Sequence, residues 1–361
     1  MDKQYALNER PEIDPDREAA DTNVNVLEQK MNARTDEIVA EIKSGKIVPA
    51  SDHVLGPAPE PIYIPTDEES QKCFADYTAD VKARLLHDKQ FPKEPKQLKP
   101  GEFVSVDDGG TNATGQDASV MITADIDNSR VHVSGQVAVM AINGLISKVI
   151  FDKNPARQFY VEESFPLDWM FPHLEPHGLI MKINREPLAQ LSEDVVQRDH
   201  DYWQKLVDGM IGNWLTDDTP VQTVTEFAEK VYLHKDLSGF SGDAGFIGDN
   251  CAQKMFSKWR SSIGGIYNWR IGFPPTGGTT PAQYVATDKT ELARLARETD
   301  FAFKQAFAIC PSSPEAVYRY VQFLMTQKRR PDALLIAQTA SRIDPANDQL
   351  KYLVRSLRQM H

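Results

Sequence analysis

The chain has few cysteines, no net basic charge and no long apolar run, and each shortage removes a class of protein. Three cysteines in 361 residues, Cys73, Cys251 and Cys310, are too few and too scattered for a disulfide framework or a zinc motif. They read as buried free thiols. No stretch reaches the ~18 apolar residues of a membrane helix, so direct membrane insertion is not expected. The opening "MDKQYALNERPEIDPD" lacks the apolar segment of a secretory signal. A free-standing chain of this kind is expected in the cytoplasm, and one that is part of a longer protein is expected to be membrane-associated. The formal charge is −12, and residues 1–70 carry 16 Asp/Glu against 7 Lys/Arg, which leaves only −3 for the rest. With acidity concentrated in the first segment and no basic patch to offset it, nucleic-acid binding is not expected. There is no Ser/His/Asp nucleophile pattern, redox dithiol or dinucleotide fingerprint, and no cofactor is expected.

What the chain does have is order along its length. Residues 1–65 form an acidic, partly helical or disordered arm that ends in the proline-rich linker "VPASDHVLGPAPEPIYIP". Across 66–94, "TDEESQKCFADYTADVKARLLHD" opens with a cap and an acidic turn, and Phe74, Tyr77, Val81 and Leu85 recur at helical spacing. Residues 95–190 read as a small α/β unit. "ASVMITADIDNSRVHVSGQVAVM" alternates around Asp127-Asn128-Ser129 as a hairpin would, with Gly135 at a bulge or bend. "INGLISKVIFDKNP" is helical up to Asn154-Pro155, and "QFYVEES" and "GLIMKI" are strands. Residues 191–272 are helical, including "TPVQTVTEFAEKVYLH" with Thr219 as cap and Pro220 at the first helical position. A Pro/Gly/Thr loop fills 273–287. In 288–361, "AFAICPSSPEAVYRYV" and "TASRIDPANDQLKYLV" align at a shift of 34, the tetratricopeptide period. The helices expected there are 288–309, 314–327, 331–344 and 346–359. The fold class is α+β, a small α/β unit followed by helices that end in tetratricopeptide-like hairpins.

Candidate chemistry concentrates in "FYVEESFPLDWMFPHLEPHGLIMKINREPL". His173, Glu175 and His177 with Asp168 are metal-ligand types, but Pro172 and Pro176 prevent the helix that would align the imidazoles, and no metal is expected. Asp168 with Glu162 or Glu163 is the candidate acid/base pair; neighbours on a strand face opposite ways, so at most one of the glutamates can join Asp168. Trp169 beside Asp168 is a carbohydrate-type combination, with His177 close in sequence. In "KWRSSIGGIYNWR", Gly264 and Gly265 fall inside a helical pattern, where close helix packing explains them better than a phosphate loop. On the hairpins, Tyr318, Arg319, Tyr320 and Gln322 are the candidate groove residues.

From "GQVAVMAINGLISKVIFDKNPARQFYVEESFPLDWMFPHLEPHGLIMKINREPL" through "IGNWLTDDTPV", "FAEKVYLHKDLSGFSGD" and "FSKWRSSIGGIYNWR" to "DFAFKQAFAICPSSPEAVYRYV", the chain resembles the soluble C-terminal region of bacterial multi-pass membrane proteins called domain of unknown function 2723. These are similar to protein O-mannosyltransferases of the type C glycosyltransferase fold, and several have a tetratricopeptide-like tail. The likeness covers about residues 62–358. The family's catalytic acids are expected in its membrane part, whose segments are not in this sequence, so none maps onto this chain. The resemblance implies a non-catalytic accessory module that binds a protein, peptide or glycan, with a membrane glycosyltransferase or its acceptor protein as partner. The alternatives are a self-contained carbohydrate-active enzyme built on Asp168 and a structural remnant of a split gene.

Overall fold

The computed structural model describes residues 61–99, 102–107, 130–162, 167–274 and 280–360, with scattered helical or turn positions between 33 and 44. The chain divides into two units, Met1–Ile62 and Tyr63–His361. Most of the acidic arm and its linker lies outside the described residues. The second unit is α+β, with two small antiparallel sheets followed by a helical region.

Helix α1 (Asp67–Gln90) begins with a reciprocal cap in which Thr66 Oγ1 accepts from the Glu69 amide and the Glu69 carboxylate accepts from the Thr66 amide. Its buried stripe is Cys73, Tyr77, Val81 and Leu85, a strict four-residue repeat, so Phe74 is turned out to solvent instead of lying on the packed face. Strand β1 (Phe103–Asp107) pairs antiparallel with β2 (Arg130–Ser134), Phe103 opposite Ser134. Thus the described partner of β2 is β1; the turn and the first arm of the hairpin expected from the sequence lie within 108–129, outside the described residues. The alternation in "GQVAVM" is misleading, because residues from Gln136 onward already belong to α2 (Gln136–Lys153). Gly135, at φ 94°, makes the bend out of β2 that other residues adopt only under strain. Tyr77, Val81, Val131 and Ala138 form a small core between these elements.

Glu102 binds that core together. Its carboxylate accepts from Arg84 Nη1 (2.6 Å) and Nη2 (2.8 Å), the Tyr77 hydroxyl (2.7 Å) and the Lys99 amide (2.7 Å). Burial alone would raise this carboxyl, but the donors outweigh burial and hold it down to about 2. A carboxylate depressed in the folded state stabilises above its unfolded value, about 4.3, and that contribution disappears as pH falls through the folded value. Unfolding free energy is therefore expected to drop by about 3 kcal/mol between about pH 5 and pH 2 through this group. Denaturant titrations at stepped pH check this: Glu102→Gln should flatten the profile, and a profile parallel to the parent's would contradict it.

The second sheet has the order β3 (Phe159–Val161), β5 (Ile180–Ile183), β4 (Leu174–His177), with both pairings antiparallel. Pro176 hides β4 in the sequence, and the structure tolerates it because β4 stands at the edge of the sheet, with no further strand beside it among the described residues. Arg185 fastens the sheet to α2: its guanidinium donates to the carbonyls of Phe151, Asn154 and Arg157 and lies 4.3 Å from the Phe151 ring centroid.

The helical region runs α3 (Glu193–Ile211), α4 (Val221–Ala228) with a π-helical extension Glu229–Leu233, α5 (Ala244–Gly248), α6 (Asn250–Arg270), α7 (Lys289–Ile309), α8 (Pro314–Thr326), α9 (Arg330–Ile343) and α10 (Asp348–Gln359). Helix α4 starts one residue later than expected: Pro220 precedes its first turn, and Thr219 instead accepts from the Thr216 amide at 2.8 Å. The most extensive helix pairing among the described residues is α6 with α7. Every residue from Arg260 to Arg270 and from Phe301 to Cys310 is buried, so these half-helices run through the interior rather than along the surface. Cys73 and Cys310 are buried free thiols, whereas Cys251 is exposed, in the first turn of α6. Among the described residues no helix is long and apolar enough to cross a membrane.

Candidate functional site

The two described acidic candidates, Asp168 and Glu162, are both exposed. Asp168 lies in the turn before β4, its side chain 71% exposed, and its partner is Lys99 at 3.3 Å. Glu162 is exposed just beyond β3, and Glu163 lies outside the described residues. Trp169 is half-buried as a cover on α2. Its Nε1 donates to Ser147 Oγ at 3.1 Å, its ring lies 5.1 Å from Phe151, and Lys148 Nζ stands 5.5 Å above it. These contacts fit an aromatic anchor over the sheet and helix end rather than an open sugar platform. His173 Nδ1 is 2.8 Å from the Asn184 carbonyl, Glu175 faces Lys182 at 3.4 Å, and His177 is exposed against the Tyr160 ring. Among the described residues no group of three or more His, Cys, Asp or Glu is placed to hold a metal ion.

The hairpin candidates divide by burial. Tyr320 is fully buried and donates to Asp300 Oδ1 at 3.1 Å; burial first, then Asp300, pushes its hydroxyl well above the usual tyrosine range. Arg319 is buried, with Nη1 donating to the Ser261 carbonyl and Nη2 3.1 Å from Glu315. Both hold α8 in place, which corrects their assignment to a ligand groove. Tyr318 is half-buried and Gln322 exposed one turn along the same helix.

A groove does open on the hairpins, one pair further along. Gln338, Ser341 and Arg342 of α9 and Val354 and Arg358 of α10 line a recess of about 230 Å³. Its position follows from sequence. Helix α10 is capped by Asn347, whose side chain accepts from the Gln349 and Leu350 amides, and it buries Leu350, Val354 and Leu357, leaving Lys351, Tyr352, Arg355 and Arg358 exposed. Helix α9 is fastened to the π-helical turn after α4: Arg342 and Thr339 both donate to Glu229 Oε1. Burial would raise the Glu229 carboxyl, but these donors outweigh it and keep it below the usual range. Residues 327–361 hold seven Lys/Arg against three Asp/Glu, a local +4 in a chain of −12. Part of that excess is paired, Arg329 with Asp300 and Asp332, Arg342 with Glu229 and Lys351 with Asp348, while Arg355 and Arg358 of α10 are exposed. Groove position was not legible in the sequence, because the 34-residue repeat identifies helices without saying which faces stay open.

The architecture is an α+β chain with a helical C-terminal region. Comparison with family models, curated proteins and solved structures found no significant match. The resemblance to domain of unknown function 2723 therefore rests on the sequence motifs alone.

Proposed function

We propose that this chain is a non-catalytic interaction module of a membrane protein-glycosyltransferase-like system, and that its tetratricopeptide-like C-terminal helices bind an acidic segment of a partner protein. The observation that carries this reading is the recess between α9 and α10, walled by Arg342 and Arg358 with Gln338 and Ser341 as neutral hydrogen-bonding groups. Charge favours an acidic peptide over nucleic acid: a chain of pI about 5.2 repels an extended polyanion, while a short acidic segment laid along α10 meets chiefly the exposed Arg355 and Arg358. Helical-hairpin stacks present concave faces suited to such segments. The sequence resemblance supports a membrane glycosyltransferase, or the protein it modifies, as the source of the segment.

Fluorescence anisotropy with a labelled Glu-rich peptide tests this. Binding is expected to weaken with added salt and to fall about tenfold or more in Arg358→Glu, a loss of about 1.4 kcal/mol. Lys72→Glu, on the exposed face of α1, should leave it unchanged. Equal binding of an uncharged peptide, tighter binding of single-stranded nucleic acid, or an unaltered Arg358→Glu variant would each overturn the reading.

A further inference from the structure

Helices α8 and α10 begin 34 residues apart, at Pro314 and Asp348, and share a buried row: Ala316, Tyr320 and Phe323 in the first, Leu350, Val354 and Leu357 in the second. A second row differs between them. Val317, Val321 and Leu324 of α8 are buried, whereas the residues at the same shift in α10, Lys351, Arg355 and Arg358, are exposed. The neighbours of α8 identify what covers its second row. Tyr320 and Phe323 pack on Phe303 of α7, and Arg319 reaches the Ser261 carbonyl of α6. Helix α9, the third helix packed closely on α8, is left for Val317, Val321 and Leu324.

Helix α9 is also the helix packed closely on α10, whose buried row is Leu350, Val354 and Leu357. The row of Lys351, Arg355 and Arg358 is thus the place where the next helix of such a stack would lie, and it is cationic. Its members stand at i, i+4 and i+7 on one helix face, separated along the axis by about 6 Å and about 4.5 Å. Arg358 also walls the α9/α10 recess, so recess and row are continuous. Lys351 has Asp348 at 2.8 Å, which leaves Arg355 and Arg358 as the principal charges. A helix that merely ends a stack needs a polar outer row of either sign. Three cations at helical spacing in a chain of net −12 make a row of one sign.

We infer that the acidic segment binds here as an α-helix antiparallel to α10, in the place of the next helix of the stack, with carboxylates at its i, i+3 and i+7 positions opposite Arg358, Arg355 and Lys351. The inference rests on the acidic-segment reading above and adds the conformation of the segment and the spacing of its acids. Spacing decides between helix and extended chain. An antiparallel helix repeats the two gaps of α10 in reverse order, whereas same-side residues of an extended chain recur at about 6.6 Å and miss the shorter gap.

Fluorescence anisotropy of the full chain with three labelled alanine-rich peptides of equal net charge tests the inference. The first has glutamates at i, i+3 and i+7, the second has the same glutamates spread around the helix, and the third is the first with a central proline. The first is expected to bind at least tenfold tighter than the other two and to gain helical circular dichroism in the complex. Arg355→Glu should weaken it about tenfold, and a peptide with lysine in place of the middle glutamate should regain the loss, a rescue that general loss of fold would not produce. Equal binding of all three peptides would overturn the helical inference and leave the acidic-segment reading standing. Binding of none would overturn both.

Discussion

Asp199→Ala is expected to lower the unfolding free energy by about 3–5 kcal/mol, the cost of leaving a buried arginine without its counter-charge. Asp199 Oδ2 accepts from Arg260 Nη1 at 2.8 Å and from the Tyr267 hydroxyl at 2.7 Å, while Arg260 Nε donates to Gln305 Oε1 at 2.6 Å. The Arg260 guanidinium lies 5.3 Å from the fully buried Trp203 ring, whose Nε1 donates to the Gly178 carbonyl at 3.1 Å. One carboxylate thus joins α3 to α6, and its arginine reaches α7. Removing it strands Arg260 in a region with no water-exposed side to move toward. The exposed pair Lys72–Asp76 supplies the comparison: its deletion is expected to cost less than 1 kcal/mol, because both ends remain solvated. Replacing both buried partners, Asp199→Leu with Arg260→Met, should recover most of the loss, since apolar side chains then fill the site without a charge. Chemical denaturation of the three variants reads the differences, and a loss under 1 kcal/mol for Asp199→Ala would contradict this account of the interior.

The second large effect concerns Gly264. A Cβ added there would lie 2.8 Å from Phe303 Cε1, 3.0 Å from Phe303 Cδ1 and 3.1 Å from Ala302 Cβ, all on α7. Phe303 is itself buried and packed against Tyr320 and Phe323, so the ring has no open side to yield into. Gly264→Val is expected to cost about 3 kcal/mol or more, because the two helices must separate along their shared interface. Gly209, on the exposed side of α3, meets nothing within 4 Å, and Gly209→Ala should stabilise by about 0.5–1 kcal/mol through helix propensity alone. Thermal melts of the pair check the opposite signs. Equal effects would mean that Gly264 is not the point of closest approach.

The same residues explain what was legible beforehand. Gly264 and Gly265 read as helix-packing glycines because they interrupt a helical pattern without a strand ahead of them, and the contact with Phe303 bears that out for Gly264. Helix starts with a side-chain acceptor were visible at Thr66, and Asn154 ends α2 as expected, its side chain also bonding Tyr63 through both polar atoms. Edge position made β4 illegible: a proline argues against a strand unless the neighbour on its donor side is known to be missing. Burial of charge was illegible for a similar reason. Nothing in the sequence pattern separates Arg260, Arg270, Lys304 and Gln305 from the polar positions of a surface helix, whereas every residue of α6 and α7 around them is buried. Periodicity reports which residues share a face, not how many faces are covered. Tyr320 and Arg319 failed as groove residues on that account, and Arg342 and Arg358 went unnoticed because their recess needs two helices to exist.

The reading as an interaction module is tested most directly by placing a photoreactive amino acid in the α9/α10 recess. Substituted for Ser341 in the native host and activated by light, it should yield a crosslink to an acidic segment of a multi-pass membrane protein or of that protein's substrate, identified by tandem mass spectrometry. Arg358→Glu in the same chain should abolish the crosslink. Products that contain only copies of this chain, or crosslinks to a membrane protein that survive Arg358→Glu, would contradict the proposal.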